Sequence, residues 1–289
     1  MKKAFLLTAL VIMVSCNNRP DPGQSSGKII TVSIAPYKYF VDSIGGGDFS
    51  VNVMVPPGSD PHVYEPVPGQ ITRLRASEGY INNGFLGFEM SWLDRFYEAN
   101  PRMKRLDLGK SIDPVDSGHE HGGDHLEAAD PHYWVSPKCA LEMASAIKKF
   151  LQELNPSASA KYEDNWNKLA GRIAELDKRS VEYFSPYRGK AFMIYHPNLA
   201  YLARDYGLRE IAVEAQGKEP SPALMKNLID ISEADSITTI FVQREFDTRN
   251  ARAIASETGA RLVIIDPLAE NWYVATSSII EALHNSFKK

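Results

Sequence analysis

Two histidines in this chain close the same tripeptide, Asp60-Pro61-His62 and Asp130-Pro131-His132, and a third is locked to a following proline in Tyr195-His196-Pro197. An aspartate under the same constraint, Asp266-Pro267, follows the apolar run Leu262-Val263-Ile264-Ile265. Three imidazoles and one carboxylate are a donor set for a tetrahedral Zn2+ site. Proline fixes its own φ and restricts the residue before it, so a ligand on such a turn loses little entropy when a metal arrives. Each of the four is expected at a strand-to-loop exit, where parallel-sheet proteins place ligand groups. The donor types favour zinc over the more oxygen-seeking manganese, whereas affinity order alone leaves copper and nickel open.

Turns of this kind need a scaffold, and the apolar pattern predicts one. Residues 29–34, 49–55, 80–82 and 105–108 read as strands, separated by helices over 37–44, 69–76 and 88–98. Ser136-Pro137 starts a helix to about residue 154 by the cap-then-proline rule, and Asn155-Pro156 starts the next in the same way. In that next helix Tyr162, Trp166, Leu169, Ile173 and Leu176 recur at spacings of four and three, one apolar stripe reaching residue 184. Such a helix is ~45 Å long at ~1.5 Å per residue. Strands at 191–195, 210–214, 238–242 and 261–265 then alternate with helices at 199–206, 222–231, 249–258 and 273–287. The fold class is therefore α/β, with parallel sheets and about four strands and four helices in each half. The DPH echo is the one internal repeat.

The first residues carry a separate signal. Lys2 and Lys3 precede an apolar stretch over 4–14, too short to span a bilayer, and Ser15 stands directly before Cys16. Residues 1–15 are expected to be a lipoprotein signal peptide, with cleavage before Cys16 and lipid on that residue. Residues 16–28, rich in Asn, Pro, Gly and Ser, form a flexible tether. Lipidation would use one of the two cysteines, so Cys139, at the start of an amphipathic run, is expected in the core. A formal net charge of −4 gives no electrostatic case for nucleic acid.

Residues 113–129 (DPVDSGHEHGGDHLEAA) break the pattern. His119, His121 and His125, with Glu120, Asp124 and Glu127, form a looser accessory metal cluster or a merely solvated loop. Glu65 and Glu219 are possible partners for an imidazole N–H, or plain surface acids. His284, on the last helix, reads as structural. HExxH is absent, as is the phosphate-binding GxxxxGK[ST] loop of an ATPase.

The segments DPHVYEP, INNGFLGFEMSWLDRF, DPHYWVSP, YHPNLAYLARDYGL, GKEPSPAL and LVIIDPLA resemble the substrate-binding proteins of bacterial zinc and manganese ABC importers, over nearly all of residues 29–289. The resemblance implies two (β/α) lobes, residues 29–154 and 187–289, joined by one long rigid helix within 155–186, with the metal in the inter-lobe cleft. It carries the family's four ligands onto His62, His132, His196 and Asp266. Manganese binders resemble this chain but have Glu at the third position, so His196 implies the zinc subgroup. The implied role is capture of Zn2+ outside the cytoplasm by a lipid-anchored monomer and delivery to an ABC permease, without catalysis. A manganese-binding or adhesin-type member of the same family, and a zinc hydrolase, are the alternatives. A hydrolase needs an open coordination position and a nearby base.

Overall fold

The computed structural model describes residues 28–116, 129–214, 220–246 and 249–288. In the first half, strands β1 (Lys28–Ile34), β2 (Phe49–Val55), β3 (Ser77–Asn82) and β4 (Lys104–Asp107) form a parallel sheet in the order β2-β1-β3-β4. In the second, β5 (Ala191–Ile194), β6 (Arg209–Ala212), β7 (Thr239–Gln243) and β8 (Arg261–Ile265) repeat that topology as β6-β5-β7-β8. Each chain half first moves to one side of its opening strand and then crosses to the other. That reversal leaves a crevice at the carboxyl ends of the strands, the usual ligand position in such sheets.

Helices α1 (Ala35–Gly45), α2 (Pro68–Arg75), α3 (Gly87–Ala99) and α4 (Pro137–Leu154) belong to the first half. Helices α6 (Ala200–Tyr206), α7 (Pro222–Ala234), α8 (Arg249–Thr258) and α9 (Trp272–Phe287) belong to the second. Local sequence sets their ends. Gly46 closes α1 at φ +61°, a left-handed position that glycine adopts without a Cβ penalty. Ser136 caps α4 by accepting from Lys138 N, with Pro137 in the first turn. Ser221 and Pro222 repeat the device on α7.

Between the halves runs α5 (Ser159–Phe184), 26 residues long and so about 39 Å. It is shorter than the sequence suggests because residues 156–158 form a 3-10 turn before it. Tyr162, Leu169, Ile173, Leu176 and Phe184 line its buried face. That face meets α1 and α4 on one side and α6 and α9 on the other. One hydrophobic core consequently runs from Ile30 and Val32, past α5, to Phe192, Phe241 and Trp272. A smaller cluster around Met193, Val213 and Val242 packs the other face of the second sheet. Cys139 is in the main core as expected, and burial pushes its thiol up to about 11. Among the described residues no helix is long and apolar enough to cross a membrane.

Candidate metal centre

His62, His132 and His196 come together although they are far apart in sequence. His62 Nε2 is 3.3 Å from His132 Nε2 and 3.2 Å from His196 Nε2. An ion bound tetrahedrally at about 2.0–2.1 Å from each nitrogen requires nitrogen–nitrogen separations of about 3.3 Å. Both separations from His62 match the edge of a zinc tetrahedron, and all three ligand atoms lie within 4.8 Å of one another. Among the described residues this is the one group of three or more His, Cys, Asp or Glu side chains that converge in this way.

Each histidine is fixed by its own turn. In both DPH segments the aspartate Oδ1 accepts from the histidine backbone N–H two residues on, at 2.8 Å for Asp60–His62 and 2.7 Å for Asp130–His132. The repeated tripeptide is thus a repeated Asx turn. Asp130 Oδ1 also lies 2.8 Å from His132 Nδ1. A carboxylate only accepts, so Nδ1 carries the proton and the Nε2 lone pair faces the centre. His196 repeats the arrangement with Glu214, whose Oε2 is 3.1 Å from Nδ1.

His132 does not follow a sheet strand directly, in contrast to the expected strand exit. It precedes a 3-10 turn over Tyr133–Val135, behind a bridge pairing Asp116 with Ala129. Hydrogen bonds from both halves hold this turn. Asn83 Nδ2 donates to the Pro131 carbonyl at 2.9 Å, and Tyr201 Oη donates to the Asp130 carbonyl at 2.7 Å. Asn83 is held in turn by the buried Glu89, whose carboxylate accepts from Ser33 Oγ and from the backbone N–H groups of Asn83 and Gly84. Burial pushes the Glu89 carboxyl up to about 7.

The second half supplies a comparable frame for His196. The buried Gln243 grips its backbone from both sides, with Oε1 accepting from His196 N at 3.3 Å and Nε2 donating to His196 O at 2.5 Å. Phe246 stacks on the imidazole with ring centroids 4.5 Å apart and planes within 13°. Glu210 accepts from the backbone N–H groups of Asn198 and Leu199, just past the ligand, and burial raises its carboxyl to about 8.

Trp134 ties the halves together at the site. Its Nε1 donates to the Pro267 carbonyl at 2.9 Å, and its own carbonyl accepts from Trp272 Nε1 at 2.6 Å. Its ring lies 5.4 Å from that of His132. The cavity at the centre is only about 20 Å3, with Trp134, Asn198, Gln243, Glu245 and Leu268 among its walls. That is room for about one water-sized species. A larger cavity of about 190 Å3 lies at the opposite end of the second sheet, near Lys190, Ser236 and Phe287, away from the converging imidazoles.

Asp266 is not among the converging side chains. Its Oδ2 is 3.5 Å from Arg244 Nη1. Glu65 is exposed, and the carboxylates that orient imidazoles are Asp130 and Glu214. Asp130 was readable from the repeated motif, whereas nothing local marked Glu214, Gln243 or Phe246. His284 stacks on Tyr183 at 4.1 Å, as a structural residue does. Cys16, Glu219 and the loop residues His119, Glu120, His121, Asp124, His125 and Glu127 lie outside the described residues.

Comparison with known proteins agrees with this geometry. A solved structure described as "Crystal structure of ZnuA" is 37% identical, covers 91% of this chain and 100% of its own, and superposes with a TM-score of 0.84. The zinc-binding lipoprotein AdcA of Streptococcus pneumoniae is 25% identical over 93% of this chain, which spans 56% of that relative's length. The high-affinity zinc uptake system protein ZnuA of Yersinia pestis is 24% identical over 98% of this chain and 94% of its own. The sequence model described as "Zinc-uptake complex component A periplasmic" matches residues 30–285, and the chain belongs to that ZnuA family.

Proposed function

We propose that this protein captures Zn2+ outside the cytoplasm and hands it to the permease of an ABC-type importer. The observation that carries this reading is the 3.2–3.3 Å separation of the imidazole nitrogens, with carboxylates behind two of the three rings. Imidazoles that present an Nε2 lone pair, as Asp130 and Glu214 make His132 and His196 do, suit a borderline cation such as zinc. His62, His132 and His196 bind the ion, and Asp266, at the exit of β8, completes its coordination. The relatives named as zinc-binding and zinc-uptake proteins support the cargo and the route.

The lipid anchor at Cys16, the monomeric state and accessory capture by His119, His121 and His125 belong to the same proposal. A cavity of about 20 Å3 is the size of an ion or a water, which suits carriage of an ion. The test is a competition titration of metal-free protein with Zn2+ and Mn2+, singly and together, on wild type and His196→Glu. One tight zinc per chain, little manganese binding and a sharp loss of zinc affinity in the variant are expected. Equal or stronger manganese binding by wild type sinks the zinc assignment.

A further inference from the structure

Three consecutive residues of the turn between β7 and α8 lie at or beside the site, and the function proposed above uses none of them as a ligand. Phe246 stacks on His196. Glu245 shares the wall of the small cavity with all three histidines. Arg244 pairs with Asp266, its side chain 69% exposed and that of Asp266 30% exposed.

Three neutral imidazoles bring no negative charge, so a dication in a partly buried site calls for an anionic donor. Glu245 is the acidic residue that lines the cavity, Asp266 does not line it, and neither is in the converging group. Resting on the zinc reading above, we propose that Glu245 joins His62, His132 and His196 as a carboxylate donor that stays on the bound ion, while Arg244 holds Asp266 back until the ion is in place. The Arg244–Asp266 pair is exposed and so worth at most about 1 kcal/mol. Such a latch yields readily to a bound dication, which then draws Asp266 in to close the shell.

The experiment compares full-length wild type with Glu245→Gln. Zinc affinity is measured by chelator competition in about 0.5 M salt, where the Debye length falls to about 4 Å and long-range attraction is screened. Visible absorption of bound Co2+ reports the donor set directly, and a melting curve reports folding. Glu245→Gln is expected to weaken zinc about tenfold or more in high salt and to alter the Co2+ band. An unchanged Co2+ band, or an affinity loss that disappears in high salt, overturns the proposal by reducing Glu245 to a distant charge. A His196→Ala variant that kept wild-type zinc affinity would instead remove the zinc reading itself.

Discussion

Glu214 offers a direct test of how the site is built. Its Oε2 lies 3.1 Å from His196 Nδ1, and both side chains are largely buried, so solvent screens the bond little. Glu214→Gln keeps the shape and an acceptor oxygen but removes the charge. A hydrogen bond to a charged group contributes about 1.5–3 kcal/mol, and a neutral one about 0.5–1.5. The loss is therefore about 1.4 kcal/mol, which is tenfold in zinc affinity. Glu214→Ala removes the acceptor altogether and frees the choice of tautomer, so its loss approaches a hundredfold. Chelator competition near neutral pH measures both, with thermal melting to confirm that the fold survives. Affinities within about twofold of wild type in both variants would refute the reasoning, because His196 would then need no carboxylate to present Nε2.

Three further outcomes follow from the same geometry. A Cβ added at Gly87 would sit 2.5 Å from the His62 carbonyl oxygen, a backbone atom that cannot turn aside; Gly87→Ala should displace the His62 turn and weaken zinc about tenfold by titration. Trp134 lines the cavity beside His132, so zinc should change its fluorescence with saturation at one ion per chain, and Trp134→Phe should remove most of that change. Glu89 holds its proton more tightly folded, with a carboxyl near 7, than unfolded. Its contribution to stability is then fully present below the ordinary carboxylate range and is lost as pH rises to about 7, on the order of 3 kcal/mol in all. Melting from pH 5 to pH 8 should show that decline, and Glu89→Gln should flatten it.

Strand and helix identity was legible because each depended on local sequence. The buried runs of β1, β2 and β8 and the proline starts of α4 and α7 lie where the pattern predicts. Two of the three histidines were legible for the same reason, since an aspartate two residues earlier folds each DPH turn onto itself, and the third was marked by its following proline. What stayed hidden depends on chain crossings. Gln243 reaches His196 across 47 residues and Trp134 reaches Pro267 across 133, and no periodicity encodes such pairs. Asp266 shows the limit from the other side. Its place after β8 is as the sequence suggests, but its carboxylate pairs with Arg244 on a neighbouring turn, a contact that no local pattern encodes.

The double indole link at Trp134 bears on how cargo leaves. One aromatic residue joins the His132 turn of one half to Pro267 and Trp272 of the other, and Tyr201 adds a further tie to Asp130. The lobes cannot part by a wide hinge without breaking these bonds. The same bonds make unloading hard to achieve spontaneously. Every tenfold loosening of the ion requires about 1.4 kcal/mol of work on the protein. In the proposed carrier role that work comes from a docked partner that strains the link, so release is timed by the acceptor.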